Sequence, residues 1–187
     1  MNPIRKFCAP AVIALSCAIA FAADPPTVGQ TLDGRFRNAE RDIVQLAVAM
    51  PAEKFDFAPT LGEFKGVRTF AHQARHMATV IYLMSSAILE QKPPIDISNI
   101  DVGPDSVQTK EQIVEYLKGA FALGHKALLA LTEKNQMDMI PSPLGGGQQP
   151  RIAAAVFIMY HSYDHYGQMV EYVRMNGIVP PATQQGR

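Results

Sequence analysis

Cysteine is nearly absent: the 187 residues include two, Cys8 and Cys17, and both fall within the first 22 positions. Once that segment is removed no thiol remains, which excludes a disulfide, a cysteine nucleophile and a thiolate metal ligand. A charge of one sign is missing as well, since 17 Lys and Arg balance 17 Asp and Glu. Removing Arg5 and Lys6 leaves 17 − 2 = 15 basic residues against 17 acidic ones, a net charge of −2 with neutral histidines. That gives no basic footprint for nucleic acid. Beyond position 22 there is no apolar run of about 20 residues, so no membrane span is expected there. The serines have no Gly-x-Ser-x-Gly setting, and Gly145-Gly146-Gly147 lacks the strand, Lys and Ser/Thr context of a phosphate loop.

What the first 22 residues do contain is the pattern of an export signal. Arg5 and Lys6 form a positive start, residues 7–19 are mostly apolar, and Ala20-Phe21-Ala22 is a small-x-small cleavage site. Residues 1–22 are therefore read as a cleaved signal peptide and 23–187 as one domain, periplasmic or secreted. A competing reading makes Cys17 a lipid-anchored first residue, but Ala14-Leu15-Ser16 is a poor approach to such a site and an apolar stretch follows it.

Three segments share one apolar rhythm. Leu32, Phe36, Ala39, Ile43, Leu46 and Met50 are spaced 4-3-4-3-4, and Phe70, Ala74, Met77, Ile81, Met84 and Ile88 repeat the spacing. Ile113, Leu117, Ala120, Gly124, Ala127 and Leu131 do so again. These are seams of helices packed side by side. A fourth helix is expected over 150–176, opened by Pro150 and stopped by Gly177 and Pro180-Pro181. Thr109-x-x-Gln112 and Thr27-x-x-Gln30 have the form of capping boxes. The connections 51–67, 91–108 and 135–149 are rich in Pro and Gly and show no alternating strand pattern of useful length. The fold class is all-α, a single-domain four-helix bundle.

Four of the five histidines form two His-x-x-x-His pairs, His72/His76 and His161/His165. Residues four apart share a helix face, so each pair can present two imidazoles to one small volume. On a helical projection His161 and His165 lie in the apolar arc with Ala154, Ile158, Met169 and Tyr172, while Asp164 points away. Two buried imidazoles need partners. Spacing leaves two solutions open, a shared metal ion or hydrogen bonds to neighbouring helices. His76 falls in the apolar arc of its own helix and is the better third ligand. His72, at the edge of that arc, is open to three readings: a residue behind the ligands, a fourth ligand, or a solvated side chain. His125 projects with Lys110 and Lys118 and reads as an ordinary surface histidine. Three imidazoles without thiolate suit a divalent ion, zinc or nickel before iron, copper or manganese. Three protein ligands leave coordination positions free, the pattern of catalytic sites. Gln168 and Tyr172, one to two turns beyond the pair, are within reach of a ligand histidine, a water or a substrate, or are satisfied interior polar groups.

A resemblance adds to this. Phe55-Asp56-Phe57-Ala58-Pro59-Thr60, Arg68-Thr69-Phe70 with His76 eight residues after the Arg, His161-x-x-x-His165-x-Gly167-Gln168, and Arg174-x-x-Gly177-x-x-Pro180-Pro181 together resemble the DinB-like family of bacterial four-helix-bundle proteins. The likeness runs from about Thr31 to Pro181. It implies an up-up-down-down bundle, a metal held by His76, His161 and His165, and homodimers. It does not imply one reaction, since such proteins include thiol-dependent transferases and isomerases. Two departures stand out: Tyr166 occupies a position that is basic or His in many relatives, and an export signal separates this chain from cytosolic thiols.

Three functional classes follow. The first is an exported metal-dependent enzyme acting on an unknown small molecule, with hydrolysis by water on the ion placed ahead of thiol transfer. In it Gln168 and His72 stand behind the ligands, and no general base is identifiable because Asp164 points away. The second is a non-catalytic module binding metal or a small ligand. The third is a metal-free bundle.

Overall fold

A computed structural model describes residues 24–184. The signal-peptide reading of 1–22, with Cys8 and Cys17, lies outside the described residues. Four long helices carry the architecture: α1 Val28–Ala49, α2 Phe70–Ile88, α3 Lys110–Leu129 and α4 Arg151–Met175. A 3₁₀ turn, Ala52–Lys54, follows α1, and a one-turn helix α5, Pro181–Gln184, follows α4. None of the described helices is long and apolar enough to cross a membrane.

The helix starts are local chemistry. Thr27 accepts from the Gln30 amide at 3.2 Å while Gln30 Oε1 accepts from the Thr27 amide at 2.9 Å, the reciprocal pair of a capping box. Thr109 and Gln112 do the same for α3, and Thr69 caps α2 by accepting from the His72 amide at 3.2 Å. At the other end of α1, Lys110 Nζ donates to the Val48 and Met50 carbonyls, each at 2.8 Å, covering acceptors that the helix leaves unsatisfied.

The expected seams are the core. Phe36, Ile43, Leu46, Met50, Phe70, Met77, Ile81 and Leu117 are all fully buried, and a buried side chain of this size contributes about 1.5–3 kcal/mol. Helix α2 is the central element, buried along its length except at His72 and Ala87. It packs on both α3 and α4, and α1 packs on the same two. The ring order is therefore α1-α3-α2-α4.

Helix directions follow from which residues meet. Gly29 lies against the Leu128 and Leu131 carbonyls while Lys110 reaches Met50, so α1 and α3 are antiparallel. Thr79 meets Tyr116 and Tyr82 meets Gly119, so α2 and α3 are parallel. Arg151 meets Glu90 and Tyr172 meets Arg68, so α4 runs opposite to α2. The order is up-down-down-up. This corrects the up-up-down-down arrangement implied by the resemblance. The physical reason lies in the second connection: parallel neighbours α2 and α3 require the chain between them to travel back along the bundle, and its length allows that.

The third connection departs from expectation in a smaller way. Met139–Pro141 (β1) and Gln148–Pro150 (β2) form an antiparallel hairpin with Ile140 opposite Gln149. Three-residue strands are too short to show an alternating pattern, and Gly145, Gly146 and Gly147 supply three left-handed residues, φ +88°, +85° and +95°, for the turn. Pro150 caps α4 and does not open it.

Candidate metal centre

His76 on α2 faces His161 and His165 on α4. The ring centroids lie 5.2 Å (His76 to His161), 4.8 Å (His76 to His165) and 4.4 Å (His161 to His165) apart. One ligand nitrogen from each falls within 4.8 Å of the others, the one such grouping of His, Cys, Asp or Glu among the described residues. The two helices bring the three rings together by sequence spacing alone on α4, one turn apart, and by antiparallel packing of α2 across it.

The other ring nitrogens are already committed. His76 Nδ1 donates to the Ile100 carbonyl at 2.6 Å, and His165 Nδ1 donates to Gln73 Oε1 at 2.5 Å. With Nδ1 carrying the proton, Nε2 of each ring has its lone pair free. His161 Nε2 is buried and makes no hydrogen bond among the described residues. A buried imidazole nitrogen without a partner costs free energy, and a divalent ion between the three rings satisfies it. The residues present fit such an ion.

Burial is the first cause of the lowered basicity of each of the three histidines. It lowers His161 to about 4, helped by the charge of a protonated His76, and lowers His165 to about 3, helped by His161 and His76. His76 is lowered too, by burial first, with the Ile100 bond acting in the opposite sense. All three are neutral near pH 7, the form a metal needs.

Gln73 was not visible as a site residue in the sequence. Its Nε2 donates to Gln168 Oε1 at 2.7 Å, and Gln168 Nε2 donates to Asp164 Oδ2 at 3.2 Å. The chain His165–Gln73–Gln168–Asp164 runs with consistent donor direction to a carboxylate. Gln168 thus reaches the ligand only through Gln73. Asp164 is exposed and stands outside the three-ring grouping. The Ile100 carbonyl was equally invisible; it arrives on the α2–α3 connection that the parallel packing makes necessary. Tyr172 is a satisfied interior polar group whose hydroxyl donates to the Arg68 carbonyl at 3.1 Å. His72 is half-buried and stands outside the three-ring grouping. It lines a cleft of about 480 Å³ together with Arg68, Gln73, Asp101 and Gln168.

His125 corrects the surface reading. Its Nδ1 lies 2.6 Å from Asp33 Oδ1 and its Nε2 lies 3.0 Å from Glu40 Oε2, so it ties α3 to two carboxylates of α1. Polar neighbours on α3 hid this, because the partners come from another helix.

The DinB superfamily matches residues 35–169, a span that contains all three site histidines. No curated protein matches the chain. Ten chains of solved structures do. Among them, a DinB-like protein from Bacillus cereus is 16% identical, with a TM-score of 0.65 over 80% of this chain and 93% of that one. A conserved protein from Enterococcus faecalis is 17% identical, TM-score 0.64, covering 80% and 97%. A DinB-like protein from Bacillus subtilis is 18% identical, TM-score 0.58, covering 79% and 92%. At such identities the likeness is one of fold.

Proposed function

The chain belongs to the DinB superfamily, and from its three-imidazole site we propose that it is an exported metal-dependent enzyme of hydrolase type, active as a homodimer. The observation that carries the reading is His161 Nε2, buried without a partner beside two rings whose Nδ1 protons are committed elsewhere. Zinc or nickel suits three neutral imidazoles, with iron, copper or manganese behind them. Such an ion supplies Lewis acidity, polarising an electrophile and acidifying water. The chain's own residues do the rest. Ile100 and Gln73 hold two ligand rings in one tautomer and orientation, and Gln168 holds Gln73. The cleft gives a small molecule access beside them, and His72 is a neutral imidazole on its wall, since burial lowers its proton affinity. Export favours hydrolysis over thiol transfer, because water is the co-reactant available in every compartment.

The test begins with metal analysis of protein purified without a histidine tag, followed by a panel of ester, amide and lactone substrates. One equivalent of metal per chain and turnover that disappears in His161→Ala are expected. Metal bound with no turnover on any class of substrate points instead to a non-catalytic binding module. Export is checked by N-terminal sequencing of the periplasmic or secreted protein, with Ala23 or Asp24 expected first; a retained Met1 overturns it.

A further inference from the structure

We propose that the cleft beside the three histidines selects small molecules bearing a carboxylate, with Arg68 as the residue that binds it; this deepens the enzymatic reading above and rests on it for the role of the reacting end of the substrate. Arg68 lies at the end of the connection between α1 and α2, and its backbone is pinned by the Tyr172 hydroxyl at 3.1 Å. Its side chain is pinned as well. Nε donates to the Asp101 carbonyl and Nη2 to Asp101 Oδ1, both at 3.0 Å. Both contacts use one edge of the guanidinium. Nη1 makes no hydrogen bond among the described residues, so the terminal edge, Nη1 with the second Nη2 proton, is free to take a planar two-oxygen group.

The Asp101 pair does not cancel this capacity. Asp101 is 84% exposed and Arg68 33% exposed, and ion pairs in contact with water contribute little because solvent screens them. Asp101 orients the fork and offsets only part of its charge; an Asn there keeps the backbone carbonyl and a side-chain oxygen for the same two donors and removes that offset. Arg68 is also close enough for its charge to bear on His76, His161 and His165 alike. A second cation lies further along, on α2: Arg75 is buried, donates from Nη1 to the Val107 carbonyl at 2.9 Å, and leaves Nε without a partner among the described residues. Its charge acts on His72. Against these stand Asp56, whose charge also reaches His72, and Asp105 near Arg75. None of Arg75, Asp56 and Asp105 is among the cleft-lining residues, where Arg68 is the one Lys or Arg and Asp101 the one carboxylate beside His72, Gln73 and Gln168. A carboxylate on Arg68 therefore meets a pre-oriented donor fork and amide groups, with Gln73, the partner of His165, on the same wall.

The experiment uses succinate and its neutral diamide, succinamide, as probes of equal length. Each is titrated into metal-free and zinc-loaded protein and followed by the Arg68 Nε–H and nearby backbone amide resonances. Succinate is expected to bind at least about ten-fold more tightly than succinamide, the size of one charge-assisted contact. Arg68→Gln removes that preference, and Arg68→Lys retains only part of it because the ammonium lacks the fork. Asp101→Asn, which removes the competing charge, tightens succinate, a gain that a purely structural role for the pair does not produce. Equal binding of both probes, or a preference that survives Arg68→Gln, overturns the proposal, as does succinate binding left unchanged or weakened by Asp101→Asn. The metal-free titration keeps the two readings separable: zinc that fails to bind counts against the enzyme, while an Arg68-dependent preference in metal-free protein still supports the anion site.

Discussion

Single residues decide whether the centre binds an ion. The i, i+4 spacing makes His161 and His165 legible in the sequence itself, because a helix brings such residues onto one face whatever surrounds them. Choosing His76 over His72 follows from the same geometry, and the packing puts His76 with the pair and His72 on the cleft wall. His161→Ala, His165→Ala and His76→Ala are therefore each expected to abolish tight zinc binding, whereas His72→Ala and His125→Ala leave it within a few-fold, as read by metal titration. Gln73 is illegible because its role depends on a partner 92 residues away. Gln73→Leu is expected to weaken zinc binding by about 10–100-fold, the usual cost of losing a group that orients a ligand histidine. The depressed histidines also set a pH dependence for metal-free protein. In the unfolded chain they take protons near 6.5, while in the fold His161 waits until about 4 and His165 until about 3. Between those values the unfolded state binds more protons, so stability is fully present above 6.5 and falls as pH drops. Thermal unfolding after chelation is expected to show a falling Tm from pH 6.5 toward 4, with a shallower slope in the double variant His161→Ala/His165→Ala.

Elements are legible wherever their cause is local. The three apolar seams, both capping boxes and the α4 stop at Gly177 all rest on residues within one or two turns of one another, and the helices stand where those residues place them. What the sequence does not show is how closely neighbouring helices approach. Gly124 belongs to the α3 seam, and a Cβ there would lie 2.4 Å from Phe36 Cε1. Phe36 cannot retreat: it is fully buried, with Phe121 at 4.8 Å and His125 at 5.2 Å between ring centroids. Gly124→Ala gains about 1 kcal/mol of helix propensity but overpacks a rigid contact, at a cost of about 1–3 kcal/mol. The clash prevails, and denaturant unfolding is expected to show net destabilisation. Gly34, exposed on α1 with nothing within 4 Å of the added methyl, supplies the opposite case. Gly34→Ala is expected to stabilise by about 0.5–1 kcal/mol. Equal effects at the two positions would show that α1 and α3 are free to move apart.

Helix direction is a property of the whole molecule, and the seams are silent on it because an apolar stripe reads the same in either direction. Only contacts such as Lys110 with Met50 and Thr79 with Tyr116 fix up-down-down-up. The same scale governs the proposed homodimer. Helix α4 is apolar on more than one side: Val156, Tyr160 and Tyr163 are 47%, 57% and 41% exposed and, spaced four and three apart, lie along one face away from the core. A 25-residue helix is about 37 Å long and about 10–12 Å wide, so α4 alone offers about 400 Å². A stable interface needs about 800 Å² per partner. The neighbouring flank of α1 must then take part, where Asp42 and Arg41 lie close enough to influence Tyr163. The expected outcome is a wild-type protein sedimenting at twice the mass of one chain and a Tyr160→Glu/Tyr163→Glu variant sedimenting as the monomer. Because neither tyrosine belongs to the three-histidine grouping, the variant is expected to bind added zinc as the wild type does. A wild-type monomer at micromolar concentration refutes the homodimer, and a dimer that survives both glutamates moves the interface off this face of α4.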